Sequence, residues 1–303
     1  MNENTADHVE EATEAPGELD PPSRGRHVMI SGPGGPRRLH YSAVGPLGGR
    51  LVVFESDAFG CSADFAWLQA ALADEVSSLA YDRGGLGLSD PGPAPRDSET
   101  IAYELSALLE SLDAPGPIIL VAQGQGACHA HVFARMRPEL MGGLVLLDAL
   151  PPTALAEPAG ERAAKIRMAP GRFTPAAARA GLLSAIGAFA GDPIGLPPEA
   201  AAERRRIMAS SRHQTNSAQE AELWFVDAEE ARAAGQIDRE LPVAVVATAK
   251  LGHPLNGLQV EPARRSRQGW AVTAEGAGGS DLLGKRKGDV TLQAIRHVLQ
   301  TLG

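Results

Sequence analysis

Short, uninterrupted apolar runs alternate along the chain with longer stretches in which apolar positions recur every three or four residues. Residues 51–55, 78–81, 118–122, 144–147, 243–248 and 270–274 are runs of the first kind. Strands apolar on both faces belong in a parallel sheet covered on each side by helices. Ahead of them, 27–31 and 39–43 flank Gly32-Pro33-Gly34-Gly35, which predicts two antiparallel strands about a turn. The helical period is clearest over 98–112, where Ile101, Leu105, Leu108, Leu109 and Leu112 form one stripe behind Ser98 as N-cap. Residues 289–302 predict a closing helix. Between 151 and 240 the alternation gives way to Ala- and Arg-rich helical pieces broken at Pro170, Pro175, Pro193, Pro197 and Pro198. The organisation expected is an α/β core of residues 25–150 and 241–303, with a helical cap, 151–240, inserted after the sixth strand.

Composition adds limits. A chain of 303 residues with 44% hydrophobic composition can bury one substantial core. Its 28 basic and 37 acidic residues leave a net charge of -9, which argues against a nucleic-acid partner. Glu3, Asp7, Glu10, Glu11, Glu14, Glu18 and Asp20 meet no Lys or Arg in the first twenty residues, so residues 1–24 are expected to be a disordered acidic tail. No apolar run reaches the roughly 18 residues of a membrane span, and the N-terminus lacks signal-peptide regions. The expected address is therefore cytoplasmic, with no membrane partner. Cys61 and Cys128 are too few for a disulfide framework and lack metal-ligand spacing, so both read as reduced core residues and no metal or cofactor is expected.

Three motifs occur in order: Tyr81-Asp82-Arg83-Gly84-Gly85-Leu86-Gly87-Leu88-Ser89-Asp90; a strand, turn and helix start from Ile118 through Gln123-Gly124-Gln125-Gly126; and Gly143-Leu144-Val145-Leu146-Leu147-Asp148. Together they resemble the α/β-hydrolase superfamily, in its branch with a helical cap after the sixth strand, over residues 45 to 300. The resemblance implies a mostly parallel sheet and a nucleophile elbow centred on position 124. It also implies a base in a Gly-His pair after the last strand and an acid after the sixth or seventh. Here Gly124 stands for the nucleophile and Gly279 for the base, in Gly276-Ala277-Gly278-Gly279-Ser280. Asp148 is the remaining carboxylate, without an imidazole to orient. In the loop after the third strand, Glu55-Ser56-Asp57-Ala58, Asp57 replaces a small residue near the oxyanion donors. Pointing inward, its charge has the wrong sign for an oxyanion site; pointing to solvent, it changes little.

Other groups have competing readings. Cys128 and His131 could face each other on the elbow helix as nucleophile and base, against a core cysteine with His129 and His131 on helix faces. Gln123 and Gln125 could line a pocket beside Ser56 and Asp57, or tie down neighbouring loops. His253 and His297 read as solvated or core-edge imidazoles. Arg204-Arg205-Arg206, Arg212 and His213 read as a solvated run rather than an anion face, as does Lys285-Arg286-Lys287. Trp224 and Phe225 read as pocket cover or cap core. The function expected is that of a non-hydrolytic pseudoenzyme or binding protein for a small organic ligand. The alternatives are a redirected enzyme of lyase, isomerase or cofactor-free oxygenase type, or an esterase-type hydrolase with relocated residues. Deleting residues 1–20 is expected to leave the thermal midpoint within about 5 °C, a span worth over a kcal/mol in a protein of this size. A larger fall in a melting experiment contradicts the tail reading.

Overall fold

The computed structural model describes residues 24–32, 34–45, 49–114, 116–189, 191–249 and 256–303; most of the acidic N-terminal segment, and His253, lie outside them. Strands β1 (Arg26–Ile30), β2 (Arg37–Val44), β3 (Leu51–Glu55), β4 (Ser77–Tyr81), β5 (Ile118–Gln123), β6 (Met141–Leu147), β7 (Val243–Ala249) and β8 (Gly269–Glu275) form one sheet. Their order is β1-β2-β4-β3-β5-β6-β7-β8. β2 runs antiparallel to both neighbours, and every pairing from β4 to β8 is parallel.

The apolar runs are explained by burial on both faces. Val53 of β3 and Leu120 of β5 pack on one side with Leu105 and Leu108 of α2 (Ser98–Ser111) and Phe133 of α3 (Gly126–Met136). Val52, Phe54 and Val121 pack on the other with Leu68 of α1 (Ala66–Leu72) and Ile295 of α13 (Gly288–Thr301). Each such side chain contributes about 1.5–3 kcal/mol by burial. Between β6 and β7 lie α4 (Pro152–Leu155), α5 (Pro158–Met168), α6 (Thr174–Arg179), α7 (Leu182–Phe189), α8 (Pro198–Ala209), α9 (Ser211–Glu222) and α10 (Trp224–Ala233). The short α11 (Asn256–Gln259) and α12 (Glu261–Arg265) precede β8. The cap of α2 differs from the sequence expectation. Asp97, not Ser98, is the N-cap, its carboxylate accepting from the Thr100 N–H at 3.0 Å, while the Ser98 N–H donates to Asp227 of α10 at 2.8 Å.

Helices α9 and α10 are fixed to the sheet by a buried charge network. Arg83, 1% exposed, donates through Nε and Nη2 to Glu220 of α9 (3.0 and 2.8 Å) and through Nη1 to Glu55 at the end of β3. Arg96 links Glu220 to Glu104 of α2, and Glu104 also binds Arg37 of β2 and the Gly84 N–H. Burial alone would raise the carboxyl pKa values of Glu55 and Glu104, but Arg83 and Arg96 respectively hold them below the ordinary range. Arg83→Leu is expected to destabilise the protein by about 3–5 kcal/mol, because it leaves Glu55 and Glu220 buried without their partner. Urea unfolding measures this, and a loss within about 1 kcal/mol, the value of an exposed pair, contradicts the account.

Candidate functional site

β5 ends in a sharp turn at Gly124, whose φ of 54° is a left-handed conformation that favours glycine, and the chain enters α3 at Gly126. The Gly124 N–H donates to the Leu147 carbonyl at 3.0 Å, tying the turn to β6. The loop after β3 lies over this turn with Asp57 directed inward. Asp57 Oδ1 accepts from the N–H groups of Ala58 and Gln125, each at 2.9 Å. A β-carbon built on Gly124 would lie 2.4 to 2.5 Å from the Asp57 carboxylate atoms. The carboxylate therefore fills the space where an elbow side chain would stand. Its two donors, one following the elbow residue and one in the loop after β3, come from the positions that supply an oxyanion hole in hydrolases of this architecture.

Asp148 follows β6 with φ 47°. Its Oδ1 accepts from Thr248 Oγ1 and from Gln259 Nε2 (3.1 Å), and its Oδ2 from Arg167 Nη2. Arg167 reaches in from α5 and also donates to the Asp148 carbonyl at 3.0 Å. A β-carbon on Gly279 would lie 2.8 Å from Asp148 Oδ2 and 3.3 Å from Gln123 Nε2. Gly279 thus faces Asp148 across the strand ends, and Arg167 supplies the positive charge at that carboxylate. A cavity of about 460 Å³ opens here, lined by Asp148, Leu150, Arg167, Thr248, Gln259 and the Gly278-Gly279 pair, among others.

The remaining singled-out residues are held elsewhere. Gln125 Nε2 donates to the Glu220 carbonyl (2.8 Å) and to Asp227 Oδ2 (2.6 Å), so it ties the elbow to α9 and α10. The Ser56 carbonyl and hydroxyl both accept from Arg83 Nη1, at 2.7 and 3.1 Å. Burial pushes the Cys128 thiol well up, and His131 donates Nε2–H to the Gly235 carbonyl at 2.7 Å. The nucleophilic thiolate that a Cys-His pair requires is thus disfavoured. Arg204 pairs with Asp64, and Arg212 donates to the Gly87 and Ser89 carbonyls (2.8 and 2.9 Å), so these two bind protein groups. Arg205, Arg206, Lys285, Arg286 and Lys287 are exposed. His297 stacks on Trp270 with ring centroids 5.7 Å apart. Trp224 is buried and Phe225 packs against the core. Among the described residues no cluster of His, Cys, Asp and Glu could hold a metal ion.

Two buried histidines have pKa values shifted in opposite directions. His129 lies with Nδ1 3.3 Å from Glu55 and Nε2 3.5 Å from Asp227. Burial would lower its pKa, but the carboxylates of Asp227 and Glu55 beside the ring hold it up to about 9. His213 accepts from the Gly87 N–H at 3.1 Å, and burial pushes its pKa down to about 4. Sequence reasoning missed the Glu55–His129–Asp227 contact. Gln125, the N-cap of α3, and His129 lie four positions apart and both meet Asp227 in the structure, but nothing local in the sequence marks Asp227 as their partner.

No family model matches the chain. It is 33% identical over 102 residues to the uncharacterized protein YqjL of Bacillus subtilis (strain 168), a match covering 33% of this chain and 40% of that protein. It is 32% identical over 117 residues to the non-heme chloroperoxidase of Streptomyces lividans, covering 38% and 42%. The chain thus spans less than half the length of the curated relatives it matches. The solved thermophilic esterase from Thermogutta terrifontis superposes with a TM-score of 0.65 at 21% identity, covering 91% of this chain and 99% of that one. With the strand order and the elbow, these likenesses define an α/β-hydrolase fold.

The histidines set a pH dependence. Below pH 6.5 His129 is charged in folded and unfolded chains alike and its stabilisation is complete. From 6.5 to about 9 only the folded chain keeps the proton, so stability falls by up to about 1.4 kcal/mol per pH unit. His213 acts in the opposite direction: from pH 6.5 down to about 4 only the unfolded chain gains a proton, and stability falls toward acid. The contributions of these two groups, taken together, are greatest near pH 6.5. His129→Gln is expected to flatten the alkaline limb and His213→Gln the acid limb in urea titrations across pH. A limb that keeps its slope in its own variant contradicts the assignment.

Proposed function

We propose that this chain is a non-hydrolytic protein on an α/β-hydrolase fold, a pseudoenzyme that binds a small organic ligand without forming an acyl-enzyme. The observation that carries this reading is the Asp57 carboxylate, whose Oδ1 takes the N–H groups of both Ala58 and Gln125 at 2.9 Å. An acyl carbonyl gains rate from such donors only if they are available as negative charge develops. Here a resident anion holds them. The same carboxylate stands where the elbow's nucleophile would project, and Gly279 offers no imidazole beside Asp148. The ligand space that fits the reading is the cavity of about 460 Å³ between α5 and the ends of β6 and β7, where Asp148, Thr248, Gln259 and Arg167 provide polar groups against Leu150 and Ile166. Concave sites with a few polar groups on an apolar wall favour small ligands.

The test is a variant series read by labelling with a serine-directed fluorophosphonate and by unfolding. The unmodified protein is expected to take no label. Gly124→Ser is expected to remain unlabelled and to lose stability, because its Cβ meets the Asp57 carboxylate at 2.4 Å. Combining it with Asp57→Gly is expected to recover about 1–3 kcal/mol of that loss as a coupling between neighbouring sites. Stoichiometric labelling of the unmodified chain at any single residue overturns the proposal.

A further inference from the structure

Between Glu161 and Asp192 the chain carries Arg162, Lys165, Arg167, Arg172 and Arg179 and no acidic residue, although the whole protein has a net charge of -9; Lys165 pairs with Glu161 and Arg167 with Asp148, while Arg162, Arg172 and Arg179 are exposed. The same stretch holds four large apolar side chains open to solvent: Ile166 (64% exposed), Phe173 (75%), Leu182 (55%) and Ile186 (61%). Helix α7 reads Leu-Leu-Ser-Ala-Ile-Gly-Ala-Phe and has no charged side chain. Leu182 and Ile186 are one turn apart on it and share a face. A helix apolar all round is ordinarily buried in a core or in lipid. This one lies at the surface, packed on one side against α6 and α8.

The chemistry of the stretch selects the occupant. A second copy docked symmetrically through this face would bring two sets of basic side chains together, which like-charge repulsion opposes. The acidic N-terminal segment carries the opposite charge. Its first twenty residues, however, include only Met1, Val9 and Leu19 as large apolar residues, so it offers charge but little cover for Phe173, Leu182 and Ile186. An anionic lipid surface satisfies both properties, taking apolar side chains into the headgroup boundary and guanidinium groups onto phosphates.

We propose that the α5–α7 region of the chain docks peripherally on membranes containing anionic lipid. The protein lies on the bilayer; among the described residues no helix is long and apolar enough to cross it. The expectation of no membrane partner rested on the absence of a span, and a peripheral contact needs none. The proposal does not depend on whether the elbow is catalytic.

The test is sedimentation of the full chain with vesicles of phosphatidylcholine alone, or with about 30% phosphatidylglycerol. Binding to the anionic vesicles is expected to be at least about ten-fold tighter than to the neutral ones, and to be lost at about 0.5 M NaCl, where charges are screened beyond roughly 4 Å. Arg172→Gln with Arg179→Gln is expected to weaken it about 25-fold, about five-fold for each basic group near the surface. Leu182→Gln with Ile186→Gln is expected to abolish it while the far-ultraviolet spectrum and thermal midpoint are retained. Equal binding to neutral vesicles, no binding to either kind, or unchanged binding by both variants overturns the proposal. So does a concentration-dependent dimer that Leu182→Gln with Ile186→Gln dissolves, because the occupant would then be a second copy of the chain.

Discussion

Arg83 lies in the interior with each of its five N–H donors engaged. Glu220 takes two, and Glu55 with the carbonyls of Ser56 and Asp57 takes the rest. A guanidinium cannot shed its charge to escape burial, so its partners must stay charged and in place. Three chain segments distant in sequence therefore meet on one group: the loop after β4, the loop after β3, and α9. The arrangement propagates. Glu55, held as a carboxylate, helps keep His129 protonated, while Glu220 engages Arg96, which continues through Glu104 to Arg37 on β2. Because the Asp57 carbonyl is fixed on Arg83, the path of its loop is set, and the Asp57 side chain follows toward the elbow amides.

The same network constrains motion. Lifting α9 and α10 from the sheet would separate Arg83 from Glu220 and Gln125 from Asp227, leaving charges and amides unpaired in a dry interior, at a cost of about 3–5 kcal/mol for the ion pair alone. These helices are thus poorly suited to act as a hinged lid. Helix α5 is attached differently. Its contact with the strand ends includes Arg167, about one-third exposed, on the buried Asp148, a pair that water screens from the Arg167 side and so holds less firmly than the fully buried Arg83 network. Access to the strand ends is therefore easiest beside Asp148 and Gly279.

Much of the scaffold was readable in the chain because local chemistry dictates it. Residues 118–122 are apolar without alternation because β5 is covered on both faces, and the Gly124-Gln125-Gly126 segment had to be a turn because a helical period begins directly after it. The cap of α2 misled by one residue, since Asp97 and Ser98 are both capping types. What separates them is Asp227, 129 positions away from Ser98. Glu104 sits beside the stripe of Ile101, Leu105 and Leu108, and its burial against Arg37 and Arg96 shows only in the structure. Arg167 left no signal: nothing in an exposed Ala- and Arg-rich helix marks one guanidinium as the partner of Asp148. The orientation of Asp57 was undecidable from sequence for a similar reason, because it depends on where Arg83 holds the preceding loop.

The filled elbow also couples substitutions that look independent in the sequence. A serine at 124 collides with Asp57 until that residue is replaced, and replacing Asp57 first strips the buried N–H groups of Ala58 and Gln125 of their acceptor. A histidine at 279 meets an Asp148 already committed to Arg167, Thr248 and Gln259. Each step taken alone is expected to lower stability, and none by itself completes a catalytic group. Changes at 57, 124, 148 and 279 are thus coupled; the carboxylate works as a ratchet, making the present state of the elbow easy to keep and hard to leave.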